Sequence, residues 1–206
     1  MLASHLFAQL ARLRLIQRWP LMYSVQSENV AEHSLQVAMV AHGLAVIRNS
    51  YFAGQVNVDR VTTLALFHDA SEVLTGDLPT PVKYHNPALA QEYKKIEAAA
   101  EQRLLSMVPP PMRDSYQGLF VHDDSDDLLQ TIVKDADTLC AYLKCIQELH
   151  MGNHEFRQAK KRLEAMLDMR MNDSIRFFLE HFLPSFTLPL DDIADDPEHP
   201  LVQPQK

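Results

Sequence analysis

Leu64-Ala65-Leu66-Phe67-His68-Asp69-Ala70-Ser71-Glu72-Val73-Leu74 sets one histidine and two carboxylates inside an otherwise apolar run of helical spacing. Burying such groups without partners costs several kcal/mol apiece, so the run demands something that compensates them. On a continuous helix His68 and Glu72 lie four residues apart and share a face, with Asp69 about 100° round. Imidazole nitrogen and carboxylate oxygen together suit a divalent Mn, Co, Fe, Ni or Zn ion. The same residues also fit a His–Glu pair lining an internal polar pocket that holds no metal.

Outward from this run the pattern is helical almost throughout. The run itself belongs to a helix predicted from about Val58 to Leu74, with Gly76 as its stop. Leu2, Leu6, Leu10 and Leu13 recur at helical spacing and predict a first helix to about Gln17, broken by Trp19-Pro20. A second helix is predicted from Asn29, a capping residue with Glu32 three positions later, to about residue 49. Gly76-Asp77-Leu78-Pro79-Thr80-Pro81-Val82-Lys83 reads as a rigid loop, and residues 87–107 as a helix opened by Pro87 and ended by Pro109-Pro110-Pro111. A long helix over roughly 125–150 and one or two more over 154–182 follow. No segment alternates convincingly, so the expected fold class is all-α, a single helical bundle over residues 1–185. Residues 186–206, acidic and proline-bearing, are expected to be a loosely ordered tail. No internal repeat, Gly-rich phosphate loop or zinc-type Cys spacing is present.

A bare His-Asp pair carries little weight: ten His and sixteen Asp in 206 residues give about 0.8 such pairs by chance, and two occur. The second, His122-Asp123, precedes further acids at a helix start, where carboxylates complement the helix dipole and no metal is needed. His68-Asp69 differs in its apolar flanks. Further ligands must then come from other helices. His33, between Val30 and Val37, is one candidate, although a core histidine with an ordinary hydrogen bond fits that position too. His42, His85, His150, His154 and His181 have no comparable company. In Lys134-Asp135-Ala136-Asp137 two acids compete: helical numbering puts Asp135 about 80° and Asp137 about 120° from the centre of the apolar stripe, a slight preference for Asp135.

Composition narrows the classes. Apolar residues make up 47% of the chain, enough for one core, and the net charge of −8 argues against binding duplex nucleic acid. The charge is uneven: residues 1–27 carry Arg12, Arg14 and Arg18 and no acid, so a small anion could be drawn there, unless these arginines are a solvated helix face. The first 18 residues do not resemble a signal peptide, and no apolar run approaches the roughly 20 residues that cross a bilayer. Cys140 and Cys145 point about 140° apart on one predicted helix, as reduced core residues do, which predicts a cytoplasmic protein.

Longer blocks sharpen the reading. Arg18-Trp19-Pro20-Leu21-Met22, the segment Glu28 to Ala38 around His33, the segment His68 to Lys83, and Asp137-Thr138-Leu139-Cys140-Ala141-Tyr142-Leu143-Lys144 together resemble the bacterial HD-domain 5'-deoxynucleotidases of the HD-domain phosphohydrolase superfamily. The resemblance covers about residues 1–190, and no departure falls at a position that the family uses chemically. It implies one divalent metal, Co2+ in vitro or Mn2+ or another transition metal, held by His33, His68, Asp69 and Asp137; it selects Asp137 over Asp135. It implies Glu72 and Arg18 as catalytic groups, and substrate contacts from Arg18, Trp19, Asp69, Asp77, Leu78, Pro79 and Thr80. Trp19 would stand where a 2'-hydroxyl clashes, and Asp77 would accept the sugar 3'-hydroxyl. From the residues alone Trp19 is equally a helix-end anchor. The implied reaction is hydrolysis of deoxynucleoside 5'-monophosphates with little base preference, by a homodimer that needs no nucleic acid or membrane partner. A cyclic-nucleotide phosphodiesterase or triphosphohydrolase would keep the four ligands without the Arg-Trp-Pro and Gly-Asp-Leu-Pro-Thr-Pro blocks. A non-catalytic helical module would have no use for Glu72.

Overall fold

The computed structural model describes residues 3–83, 85–121 and 124–194. It is all-α: α1 (Leu6–Leu10), α2 (Val30–Tyr51), α3 (Val58–Phe67), α4 (Glu72–Thr75), α5 (Thr80–Lys83), α6 (Pro87–Met107), α7 (Arg113–Phe120), α8 (Asp127–His150), α9 (Arg157–Arg170), α10 (Asp173–His181) and α11 (Leu190–Ala194). Among the described residues the one extended pairing outside helices is an isolated bridge between Gln17 and Asn29.

The start of α2 is set locally. Asn29 accepts from the Glu32 amide at 3.0 Å while the Glu32 carboxylate accepts from the Asn29 amide at 3.4 Å, a reciprocal cap worth about 1 kcal/mol. By length and composition α2 is apolar enough to cross a bilayer, although polar side chains such as Glu32, His33, Ser34 and Gln36 interrupt it. In the fold it is the central core helix, packed on α3, α8 and α10. Val37, Ala41, Leu44, Val61, Leu64, Ala136, Leu139 and Ile175 form that core. A second cluster, of Leu6, Ala70, Leu104, Val108 and Phe120, lies under α6 and α7.

Three expectations are corrected. The single helix expected to Gln17 is only the short α1 followed by a 3-10 turn over Leu13–Leu15, because Gln17 leaves to pair with Asn29. The helix expected to Leu74 ends at Phe67. Residues 68–71 turn tightly, with the Ala70 and Glu72 amides reaching back three residues to Phe67 and Asp69 at 3.0 Å each. His68 and Glu72 therefore do not sit on successive turns of one helix. The break carries the chain from the first cluster, which takes Leu64 and Ala65, to the second, which takes Phe67, Ala70 and Val73. Gly76, at φ +74°, does stop α4, in a conformation that glycine adopts without the usual side-chain strain. The rigid loop expected over 76–83 includes one helical turn, α5, with the Val82 and Lys83 amides donating to the Pro79 carbonyl. The helix α7 had no sequence expectation. In the tail, residues 190–194 form α11, and 195–206 lie outside the described residues, as do His122 and Asp123.

Candidate active site

Three elements bring the central cluster together. The capped α2 presents His33, fully buried, one turn from its start. The turn after α3 presents His68 and Asp69, and α8 presents Asp137. His33 Nε2 stands 3.0 Å from Asp137 Oδ1 and 3.7 Å from Asp69 Oδ2, and His68 Nε2 stands 3.2 Å from Asp69 Oδ2. Ligand atoms of His33, His68 and Asp69 all lie within 4.8 Å of one another. Asp135, two residues from Asp137, faces elsewhere: it accepts from Arg170 Nε at 2.8 Å and Asn172 Nδ2 at 2.9 Å, tying α8 to the α9–α10 junction. Asn172 also caps α10, so Asp135 has a structural occupation that helical periodicity does not reveal.

Opposite charges dominate the electrostatics of the cluster. His68 Nδ1 donates to the Ala65 carbonyl at 2.7 Å, which turns the buried Nε2 toward Asp69, 3.2 Å away, with no other partner among the described residues. Burial opposes charge on His68, but the charge and hydrogen bonding of Asp69, followed by the Asp137 charge and the Ala65 carbonyl, prevail and raise its pKa to about 9. Burial likewise opposes ionisation of Asp69, yet His68, His33 and Arg18 hold its carboxyl well below the usual range. Against the cost of its partial burial, the His33 hydrogen bond and the His68 charge also hold Asp137 low.

A second layer lines one side. The Arg18 guanidinium reaches Asp69 at 3.4 Å, and next to it Trp19 holds a left-handed backbone with φ +57°. That conformation strains a bulky side chain and persists where surroundings fix it. Here the indole packs on Phe156, ring centroids 5.2 Å apart, and its Nε1 donates to Glu28 at 2.9 Å. Glu28, buried in the loop before α2, is a site residue that the sequence reading quoted without assigning a role. Burial opposes its ionisation, but His33 and Arg18 keep it below the usual carboxylate range. The intervening loop is strapped to the end of α8. Glu148 accepts from the Val25 and Gln26 amides at 2.8 and 3.1 Å, from Lys144 at 2.5 Å and from Asn153 at 2.6 Å.

On the other side Glu72 Oε2 is buried with no hydrogen-bond partner among the described residues, and burial, with Asp69 and Asp77 nearby, pushes its pKa up to about 9. Asp77, raised by burial, shares this charge field with Arg18 and Asp69. Leu78 and Pro79 are half-buried, and Thr80 opens α5. Lys83 pairs with Glu97 at 2.7 Å, holding α5 against α6. His42 lies apart from the cluster, in an apolar depression of about 480 Å³ between α2 and α3 that also contains Leu35, Met39 and Leu66.

The family described as 5'-deoxynucleotidase YfbR-like matches residues 5–186. A 5'-deoxynucleotidase of Shewanella oneidensis is 60% identical over 190 residues, covering 92% of this chain and 97% of the relative. The 5'-deoxynucleotidase YfbR of Escherichia coli is 58% identical over 193 residues, covering 94% and 97%. Among solved structures, an HD-domain phosphohydrolase from Listeria innocua superposes with a TM-score of 0.76 at 27% identity, covering 87% of each chain.

Proposed function

Because the chain belongs to the YfbR-like 5'-deoxynucleotidase family and is a phosphohydrolase, we propose that it uses one divalent metal to hydrolyse 2'-deoxyribonucleoside 5'-monophosphates to deoxynucleoside and phosphate. The observation that carries the metal reading is His68 Nε2: buried, oriented by its other nitrogen, facing the Asp69 carboxylate with no hydrogen-bond donor or acceptor besides it among the described residues, and in reach of the ligand atoms of His33. His33, His68, Asp69 and Asp137 would hold the ion, and their two nitrogens and carboxylate oxygens suit Co2+, Mn2+ or another transition metal. When bound, the ion supplies positive charge that acidifies water and screens the phosphate.

The chain's own groups do the rest. Arg18 offers a planar fork that orients phosphate oxygens for in-line displacement. Glu72 exchanges a proton at its buried Oε2, taking one from the attacking water or returning one to the departing 5'-oxygen as the P–O5' bond breaks. Its raised pKa keeps the carboxyl protonated at neutral pH in the metal-free protein, ready to donate to the departing oxygen, and the charge of a bound ion would lower that pKa toward the range in which it can also act as a base. Trp19 walls the sugar where a 2'-hydroxyl would stand, Asp77 accepts from the 3'-hydroxyl, and Leu78, Pro79 and Thr80 close that side. Arg18, Trp19 and Asp77 address phosphate and sugar, so the reading includes little base preference.

The same reading makes the protein a cytoplasmic homodimer without nucleic-acid or membrane partners, its catalytic unit spanning residues 1–185. Cys140 and Cys145, free and buried, suit a reducing compartment. The exposed Leu35, Met39 and Leu66 give α2 and α3 an apolar outer face that a second copy would cover, which sedimentation would test. Phosphate release from dAMP before and after chelation, and after adding back cobalt or manganese, tests the reaction: activity unaffected by chelation contradicts the metal reading.

A further inference from the structure

Glu28 is one buried carboxylate facing three groups to which the proposed function gives different tasks. Its Oε2 accepts from Trp19 Nε1 at 2.9 Å and lies 3.7 Å from Arg18 Nε, while its Oε1 lies 3.4 Å from His33 Nδ1. Arg18 Nε and His33 Nδ1 are both buried with no hydrogen-bond partner among the described residues, so these nitrogens look to Glu28 at ion-pair distance. The backbone reinforces the placement, because the Arg18 amide donates to the Glu28 carbonyl at 2.9 Å and Gln17 bridges to Asn29. Glu28 thereby ties the strained Trp19 turn to the first turn of α2.

We propose that Glu28 is the positioning residue that joins sugar selection to the metal centre, fixing the Trp19 indole with one oxygen and the His33 tautomer with the other. A carboxylate before Nδ1 favours the ring proton there, which would leave the Nε2 lone pair for an ion seated among His33, Asp69 and Asp137 in place of the present Nε2–Asp137 hydrogen bond. The other oxygen accepts the indole N–H and so fixes the ring plane against Phe156. Both tasks need acceptors at both ends of the side chain, which a carboxylate provides and an amide does not. In Glu28→Gln one end becomes a donor. Keeping the amide oxygen toward Trp19 and Arg18 avoids two donor–donor clashes, and the NH2 then meets His33 Nδ1 and moves the ring proton to Nε2.

This inference rests on the proposed metal and sugar reading, and its test separates the two. Cobalt affinity is measured by calorimetry on metal-free protein, and kcat/KM is compared for dAMP and AMP. Glu28→Gln is expected to lose roughly 10- to 100-fold in cobalt affinity, the scale for residues that orient metal ligands. Trp19→Phe keeps a ring and removes the indole donor; it is expected to lose roughly tenfold in the dAMP/AMP ratio, the scale of one hydrogen bond to a charged group, with cobalt affinity unchanged. Glu28→Ala is expected to lose both. Wild-type cobalt affinity in Glu28→Gln, or a wild-type ratio in Trp19→Phe, overturns the inference, and neither depends on Glu28→Ala folding. A wild-type enzyme with no preference between the sugars would instead overturn the sugar reading, leaving the cobalt measurement on Glu28→Gln to decide the His33 half.

Discussion

His33 Nε2 and Asp137 Oδ1 stand 3.0 Å apart although 104 positions separate them in the chain, so the contact joins α2 to α8 where His68 and Asp69 arrive from α3. Replacing His68, Asp69 or Asp137 with Ala is expected to remove bound metal and activity together. Asp135→Ala should keep its metal and lower stability by about 2 kcal/mol, since it breaks hydrogen bonds to a charged partner and leaves Arg170 and Asn172 unsatisfied. Metal content and thermal melting of the four variants check this. Metal lost from Asp135→Ala and kept by Asp137→Ala would reverse the assignment.

Protons compete with the metal. His68 titrates near 9 against an ordinary 6.5, and Glu72 near 9 against an ordinary 4.5. Both folded values are raised, so each proton stabilises the metal-free fold fully below the unfolded value, and that stability is lost as pH rises through the folded one. The melting temperature of chelated protein should therefore fall from about pH 5 to about pH 9, with a shallower fall in Glu72→Gln. A metal held by His68 must displace its proton, so affinity should rise with pH up to about 9 and the binding heat should vary with the buffer's ionisation enthalpy. A buffer-independent heat at about pH 7 would contradict the protonated, Asp69-paired His68.

Glu72→Ala should separate binding from chemistry. The variant is expected to retain metal and bind the monophosphate while kcat falls roughly a hundredfold or more, the scale of a general acid–base group. Loss of metal in this variant would make Glu72 a ligand instead. Arg18→Ala should raise KM and lower kcat together, because one fork serves both ground state and transition state.

The strap on the Trp19–Glu28 loop has its own signature. Glu148 is fully buried with Lys144 beside it, so Glu148→Ala leaves a buried ammonium without its carboxylate and should cost about 3–5 kcal/mol. The loop amides of Val25 and Gln26 lose their acceptor too, so kcat/KM should drop even at temperatures where the variant is folded. Circular dichroism melting with activity below the transition checks both effects. Wild-type activity in the folded variant would show that the loop holds its shape without the strap.

What the sequence disclosed divides along physical lines. The Asn29–Glu32 cap and the Asn86-Pro87 start are local signals, and the helices that they open begin where the sequence reading put them. The end of α3 is not local: nothing within residues 64–74 marks a break, which follows from Leu64 and Phe67 entering different hydrophobic clusters. Periodicity alone leaned to Asp135 because it measures distance from an apolar stripe, and a buried carboxylate paired with Arg170 satisfies that measure as well as a metal ligand does. Glu28 had no motif of its own, since its meaning lies in contacts with Arg18, Trp19 and His33 that only the Gln17–Asn29 bridge brings about. His33, His68-Asp69 and Asp137 were singled out as a set by the family blocks rather than by residue chemistry, and the structure brings the four side chains together.

Selection of the sugar is the claim that most separates this account from that of a general phosphatase. A site that admits deoxyribose and rejects ribose must oppose a molecule larger by one hydroxyl, which calls for an obstacle such as the fixed Trp19 indole. The measurement is kcat/KM for phosphate release from dAMP and AMP by the cobalt-loaded enzyme under identical conditions. The account predicts efficient release from dAMP and at least roughly tenfold less from AMP, the discrimination available to a single steric contact. Equal rates on the two sugars would contradict it.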